Sequence, residues 1–433
     1  MQTYFKVASV LERIETGHMD FKGAVFKWKE SPNFKEIYAL SSSILTQKAL
    51  LNDIEAYTKN IVKGKQVQNK YLFRVILYEH LFSIKKLKFG GKLARLVKDI
   101  KASIIEKFGD QIEIKKESKK ENLFRKNVYV RYLPSKDVDK DKESVSQLSE
   151  FKKDSIIDNL YCLSYQQYSE FNTNKFPLYH HPDFVIQSKS SCLPLRALQT
   201  VLDSEFNGCV VETCSAPGNK TLQLLEYFPM SSVHSFELDK KRFKLLEKRL
   251  GIYKKPYFAD CQTYQRDFFE LSLTDIDPAS VEVVVADPSC SGSGMLNRFN
   301  DLDIPETTDF ESFVNEKRKG LNKKEQTKVD QLTSFQYKLL DYCFSNFTNL
   351  KYLVYSTCSI YNEENEDMVK KMLKKHEAVE LVDIKLDGWE QRGFGECEGK
   401  YNPQYCLREN PLQRKNDGFF VALFKVNNSN KQV

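Results

Sequence analysis

"GCVVETCSAPGNKTLQLL", Gly208 to Leu225, passes from a short apolar run through a Pro-Gly turn into residues spaced for a helix. A strand feeding a helix across a tight loop is the unit from which doubly wound sheets are built. The pattern recurs on either side. "SSVHSFEL" (231–238), "VEVVVADP" (281–288) and "YLVYSTC" (352–358) are near-continuous apolar runs, as in parallel strands covered on both faces. Helix-like stretches lie among them: "DKKRFKLLEKRLG", "VDQLTSFQYKLLDYCFSNF" and "ENEDMVKKMLKKH". From about Leu193 onward the chain therefore reads as α/β with a doubly wound, mostly parallel sheet. Ligands of such sheets bind off the carboxyl ends of the strands, so the chemistry is expected in those loops.

The preceding part reads differently. The first ~110 residues are helix-like, with Tyr71 to Phe89 as the clearest segment, broken by Gly90 and Gly91. "KKESKKEN" from Lys115 marks a boundary, and "NVYVRYLP" alternates like a strand until Pro134 stops it. "SKDVDKDKESVSQ" from Ser135 is read as an exposed or disordered insertion. Residues 1–130 hold 26 Lys and Arg against 14 Asp and Glu, a surplus of 12, so the other 303 residues carry −5 of the net +7. A basic third joined to a mildly acidic body suggests a polyanion grip attached to a separate working part. His180 and His181 in "LYHHPDF" are read as turn or core residues ahead of RNA contacts.

At 433 residues the chain is long enough for two or three domains. No apolar stretch approaches the ~18 residues of a membrane span, and the N-terminus lacks the apolar core of a signal peptide, so an intracellular protein is expected. The ten cysteines include no C-x-x-C pair, which argues against a zinc knuckle or a secreted disulfide framework. No metal is expected, and most of the thiols are read as buried small hydrophobes.

The loop Cys214 to Lys220 matches neither G-x-G-x-x-G nor G-x-x-x-x-G-K-[ST]. It suits a carboxylate better than a phosphate, with Lys220 and backbone N–H groups at a helix N-terminus. Glu237, 19 residues past Gly218, ends the second strand where an acid receives ribose hydroxyls. Asp267 in "YQRDFFEL" is the candidate adenine contact, with Asp260 as its competitor. An adenosine that carries an amino acid and no triphosphate is S-adenosylmethionine. Cys290 in "DPSC" and Cys358 in "YSTC" then place thiols at two strand ends. Beside a methyl donor, a thiolate has one demanding use: adding to C6 of a cytosine so that C5 becomes nucleophilic. Removing the C5 proton afterwards needs a base, which gives a second thiol work to do. Either cysteine could be the attacker on this ground. Asp287 is expected to donate to cytosine N3 as a neutral acid, stabilising the charge that develops on attack.

"CSAPGNKT", "FELDKKR", "DPSCSGSGM" and "YSTCSIYNEENEDMV" resemble, in this order, the motifs of the Sun-domain (NOL/NOP/Sun, NSUN-type) RNA cytosine-C5 methyltransferases. "FKGAVFK", Leu77 to Phe82, "HPDFVIQSKSSCLP" and "DGFFVALFKV" extend the likeness to the fifth-member eukaryotic subgroup, which acts on large-subunit ribosomal RNA. The resemblance implies a Rossmann-like class I S-adenosylmethionine-dependent methyltransferase domain over 186–433. Before it would come a basic helical domain over 1–113 and a small α/β RNA-recognition segment over 114–185. It also implies Cys358 as nucleophile and Cys290 as the group assisting product release. Donor contacts fall on Cys214, Ser215, Ala216, Pro217, Gly218, Asn219, Lys220, Glu237, Asp267 and Asp287. Ribosomal RNA or a pre-ribosomal large subunit is the implied partner, the nucleolus of the nucleus the implied address, and a monomer the expected state. The chain departs from the family in reading "DPSC" for Asp-Ala-Pro-Cys, Asn219 for a glycine and Ser215 for an alanine. The polar stretch Ile304 to Lys328 is expected to be disordered or to touch RNA. An assembly factor that keeps the fold without turnover is the alternative; DNA cytosine methylation, a third reading, would make Cys290 the attacker.

Overall fold

A computed structural model describes residues 2–427 apart from 18, 20, 62–68, 84–90, 126, 135–145, 147, 165–166, 169, 171–181, 254–257, 272–275, 296–308 and 414–415. His180, His181 and most of the charged insertion after Ser135 lie outside the described residues. The chain forms two compact units, Met1–Leu123 and Phe124–Val433.

The first unit is helical: α1 (Gln2–Glu15), α2 (Phe21–Phe26), α3 (Phe34–Thr46), α4 (Lys48–Ile61), α5 (Lys70–Phe82) and the start of α6 (Lys92–Arg125). α5 starts where the Asn69 side chain accepts the Leu72 N–H at 2.8 Å, a capping bond that satisfies one orphan donor. Val75, Ile76 and Leu77 are fully buried in the core. Arg74 crosses that core with its guanidinium bidentate on Glu55 at 2.6 and 2.7 Å and paired to Glu15. The expected boundary at "KKESKKEN" falls inside α6, because Lys, Glu and Asn without Gly or Pro do not interrupt a helix.

The second unit holds two sheets. Strands β1 (Val128–Tyr132), β2 (Lys152–Lys153), β3 (Leu160–Leu163) and β4 (Phe184–Ile186) form an antiparallel sheet in the order β2-β3-β1-β4. β1, read as a strand from its alternation, has four of its five residues buried, since it is a central strand of this sheet. This sheet lies in the same compact unit as the large one, Phe124–Val433. Arg131 of β1, fully buried, bonds Gln187 at 3.0 Å and pairs with Glu226, and Arg196 donates to the Ile156 carbonyl at 2.9 Å.

The large sheet is built from β5 (Cys209–Glu212), β6 (Ser232–Phe236), β7 (Asp260–Tyr264), β8 (Val281–Ala286), β9 (Tyr352–Thr357), β10 (Val379–Leu381), β11 (Leu407–Glu409) and β12 (Phe419–Val426). Its order is β10-β12-β9-β8-β5-β6-β7, with β11 paired to β12. β7, β6, β5, β8 and β9 run parallel, and β12 is inserted antiparallel beside β9. Helices α7 (Lys189–Leu198), α8 (Asn219–Tyr227), α9 (Lys240–Tyr253), α10 (Phe310–Lys319), α11 (Lys323–Asn346) and α12 (Glu366–Lys375) complete the unit. Apolar side chains of the strands enter two clusters, one including Leu222 and Leu225 of α8, the other Leu339 and Cys343 of α11 and Met368 of α12. The strand order reverses between β5 and β8, and the loops after them flank the crevice where such sheets bind ligands.

The segment 304–328, expected to be disordered or to touch RNA, forms helices over its described part, 309–328. Asp309 caps α10 through the Ser312 N–H at 2.8 Å, and Asn322 with Glu325 forms a reciprocal capping box on α11. Phe310, Phe313 and Val314 of α10 pack on Ile360, Tyr361 and Leu412, roofing the loop after Cys358.

Candidate active site

Period-two alternation along β9 puts Ser356 and Cys358 on one face, and parallel pairing with β8 sets Ser356 opposite Asp287. The two cysteine loops meet at this edge, with Cys290 Sγ 3.2 Å from Cys358 Sγ. The Gly294 N–H donates to the Cys358 carbonyl at 2.9 Å. Beneath the thiols the hydroxyls of Ser291, Ser293 and Ser359 lie 2.9 to 3.1 Å from one another. Ser293 Oγ also accepts the Ile360 N–H at 3.0 Å. Thr357 Oγ1 donates to Asn365 at 2.6 Å, and Asn365 Nδ2 donates to the Ser359 carbonyl at 2.9 Å.

The two thiols sit in different fields. The Cys290 S–H bond lowers Cys358 from its ordinary value; Lys220 also favours its thiolate, against burial and the Asp287 charge. Cys290 is held well above its ordinary value by the same hydrogen bond, by burial and by the charges of Cys358 and Glu364. Glu364, fully buried, accepts the Ser291 N–H at 2.8 Å and Gln336 Nε2 at 3.0 Å, fixing the Cys290 loop from below.

Lys220 reaches Asp287 Oδ2 at 2.7 Å, and Ser356 Oγ donates to Asp287 Oδ1 at 2.7 Å. Burial opposes the ammonium, but Asp287 together with Glu212 and Cys358 outweighs it and raises Lys220 above its ordinary value. Both Asp287 oxygens thus accept in this arrangement, so a hydrogen bond toward the base would come from a neighbouring donor or after rearrangement.

A cavity of about 480 Å³ opens at the carboxyl ends of β5 to β7. Cys214, Glu237, Leu238, Asp267, Phe268 and Ser289 are among its walls. Glu237 Oε2 accepts the Ala216 N–H at 3.3 Å, and Oε1 accepts the Asp239 N–H at 3.0 Å. Asp267 faces this cavity and spends one oxygen on the Phe269 N–H at 3.1 Å. Asp260, its competitor, begins β7 at the opposite end of that strand and does not line this cavity. Of the loop residues, Cys214 lines the cavity, with its thiol pushed up to about 12 by burial. Ser215 N–H donates to the Phe236 carbonyl at 2.9 Å, and Pro217 follows a cis peptide. Gly218 adopts φ +98°, where a Cβ would lie 2.9 Å from Leu246, so glycine is required at this turn. Lys220 is bonded to Asp287, itself one of the expected donor contacts, and Asn219 accepts from Arg249 at the start of α8.

Ser356, Gln336 and Glu364 carry no signal that singles them out one by one in the sequence. Ser356 is findable, since it shares a strand face with Cys358; Gln336 reaches the site only through the packing of α11. Among the described residues no helix is long and apolar enough to cross a membrane, and no His, Cys, Asp or Glu side chains gather as a metal site.

Strand order, crevice and strand-end loops together define a Rossmann-like methyltransferase. The sequence model of the 16S rRNA methyltransferase RsmB/F family matches residues 199–425, and the chain belongs to this family. A mouse 28S rRNA (cytosine-C(5))-methyltransferase is 26% identical, covering 98% of this chain and 91% of that protein. The 25S rRNA (cytosine-C(5))-methyltransferase rcm1 of Schizosaccharomyces pombe is 28% identical with the same coverage. The crystal structure of PH0851 superposes with a TM-score of 0.55 at 19% identity, over 97% of this chain and 98% of that one, a likeness of fold.

Proposed function

We propose that this chain forms 5-methylcytosine in large-subunit ribosomal RNA, with Cys358 as nucleophile. One observation carries the reading: two thiols 3.2 Å apart at the crevice edge, one lowered and one raised from the ordinary thiol value. The relatives above, named as 28S and 25S rRNA (cytosine-C5)-methyltransferases, support the substrate class. Ribosomal RNA or a pre-ribosomal particle is the partner, and the nucleolus follows as the place of action.

S-adenosylmethionine, the methyl donor, supplies an electrophilic methyl on a sulfonium. The cavity falls within the ~300–1,000 Å³ of small-molecule sites, with Glu237 at the ribose position and Asp267 at the adenine position. Cys358 attacks C6 of a cytosine turned out of its stack, a few kcal/mol of unstacking being the usual cost. The Sγ–C6 bond forms as the C5–C6 double bond opens and C5 becomes the nucleophile. The Lys220–Asp287–Ser356 chain stands beside the attacking sulfur and stabilises charge shifted into the ring. Cys290 removes the C5 proton after methylation, the ring double bond re-forms and Cys358 leaves.

The test uses purified protein, large-subunit RNA and labelled donor with Cys358→Ala and Cys290→Ala. Cys290→Ala should accumulate a protein–RNA adduct on a denaturing gel, and Cys358→Ala should give neither adduct nor product. Normal methylation by Cys358→Ala would sink the mechanism. The DNA reading requires the opposite pattern, and a wild type inactive on both RNA and pre-ribosomes would leave the assembly-factor reading.

A further inference from the structure

The helical unit carries an aromatic cluster at the edge of its core: Phe21 and Phe34 are half-buried against it, while Phe26 and Tyr38 are exposed. Phe26 and Phe34 meet edge to face at 5.5 Å between centroids, Phe34 and Tyr38 at 6.3 Å, and Tyr38 and Phe21 at 5.2 Å. Phe26 is 49% exposed and Tyr38 39%. Directly beside them Ala24, Val25 and Ile37 are fully buried, so the helices had inward positions and left the Phe26 and Tyr38 rings outside. Single exposed apolar residues are ordinary, but two exposed rings joined through half-buried Phe34 are not. Lys27, Lys29 and Lys35 are exposed on the same two helices and their connection, and none is paired with a carboxylate among the described residues. Of the acids between them, Glu36 is turned to Thr3 Oγ1 at 3.3 Å, and Glu30 is exposed.

We infer that Phe21, Phe26, Phe34 and Tyr38 form a stacking platform for unpaired RNA bases, with Lys27, Lys29 and Lys35 on the flanking phosphates. This rests on the RNA substrate proposed above and adds a place and a chemistry for part of the grip. Aromatic faces stack any base, while lysines track the backbone, which gives affinity without sequence preference. A protein partner is disfavoured, because lysine is depleted from protein interfaces whereas RNA requires cations.

The experiment measures binding of the full chain to a fluorescent oligouridine of about 12 nucleotides over a salt series. Phe26→Leu with Tyr38→Leu keeps apolar area and removes π-faces; it should weaken binding roughly 5- to 100-fold with the salt slope unchanged. Phe26→Trp with Tyr38→Trp should restore it. Replacing Lys27, Lys29 and Lys35 by Gln should flatten the slope by about 2, from ~0.7 per phosphate contact. Thermal melts and donor binding should match wild type in all three variants. Wild-type affinity in the Leu pair overturns the platform, as does a Leu phenotype confined to loss of self-association. If wild type methylates large-subunit RNA while the Leu pair binds normally, this platform alone fails. If wild type neither binds nor methylates such RNA, the proposed function fails with it.

Discussion

Gly294→Ala tests whether the thiol geometry depends on the close approach of three backbone segments. A Cβ at 294 would lie 2.5 Å from the Gly418 carbonyl oxygen, 2.8 Å from its carbon and 2.9 Å from the Cys358 carbonyl oxygen. These are ~0.5–1 Å short of ordinary carbon–oxygen contact, and every obstructing atom is backbone, so no rotamer relieves them. Overpacking of this kind costs about 1–3 kcal/mol. The Gly294-to-Cys358 bond at 2.9 Å or the Gly418-to-Gly294 bond at 2.7 Å must also stretch, at about 1 kcal/mol for one lost. The combined loss is roughly 2–4 kcal/mol. If the strain is relieved by moving Cys358, a misplacement near 1 Å costs about 10²-fold in rate. Single-turnover adduct formation should therefore slow by roughly 10- to 100-fold. Donor binding, measured by calorimetry, should hold, since Glu237 and Asp267 lie on other strand ends. Gly418→Ala meets the Pro411 ring at 2.9 Å in addition to Gly294 and should be milder, because a proline pucker can give. A Gly294→Ala protein with wild-type melting and adduct rate would refute the argument that this contact holds the nucleophile.

In a Cys397→Ser background, which removes the exposed thiol, iodoacetamide should label Cys358 first and leave Cys214 and buried Cys343 unmodified, as read by mass mapping. Cys358→Ser removes the charge that raises Cys290, so Cys290 should alkylate faster there than in wild type; unchanged labelling would break the proposed link between the two sulfurs. Burial pushes Glu212 up to about 7 from 4.5, so its neutral form belongs to the folded state. That contribution is complete below about pH 4.5 and is lost as pH rises through about 7, worth about 3 kcal/mol at 1.36 per unit. Urea melts should show wild type losing that much more than Glu212→Gln between pH 5 and 8; parallel curves would contradict it. Arg408, buried and bonded to Glu366 at 2.6 and 2.5 Å, also donates to the Ile360 carbonyl at 3.1 Å. Arg408→Met strands a buried carboxylate and should cost about 3–5 kcal/mol in denaturant melts, with the Arg408→Met, Glu366→Met pair losing less.

What the sequence discloses follows periodicity and loop position. The apolar runs at 208–213, 281–288 and 352–358 announce parallel strands because burial on both faces leaves little room for polar residues. Glu237 and Asp267 are legible for the same reason, standing at strand ends where a doubly wound sheet offers its crevice. Lys220 is legible by its loop, but its bond to Asp287 is not, since that depends on how the start of a helix meets the end of a neighbouring strand. The ordered helices within 304–328 escape a sequence reading because their apolar faces are short and polar residues outnumber them, while the burial of Phe310 and Phe313 depends on Ile360 and Tyr361, distant in sequence. "KKESKKEN" misleads in the other direction: charge marks a boundary, but helix propensity carries α6 through it.

In the proposed mechanism the two cysteines give one residue type two duties. Their loops are tied by one serine cluster, so geometry alone does not distinguish them. The hydrogen bond between them does, lowering Cys358 and raising Cys290. Around it, Asp287 opposes a thiolate at Cys358 and Lys220 favours one, while Glu364, buried beneath the Cys290 loop, opposes one at Cys290. The difference also sets an order of events. While Cys358 is anionic it raises Cys290, which stays protonated and donates to it. In the proposed mechanism, once Cys358 is bonded to C6 its charge is spent, and the hydrogen bond and Coulombic repulsion from it no longer hold the proton on Cys290. Cys290 thereby becomes available as a base only after the adduct exists, when a C5 proton has to be removed. A carboxylate in its place would be charged at neutral pH from the start and would repel the thiolate it must wait for, which is a physical reason for a second cysteine at this position.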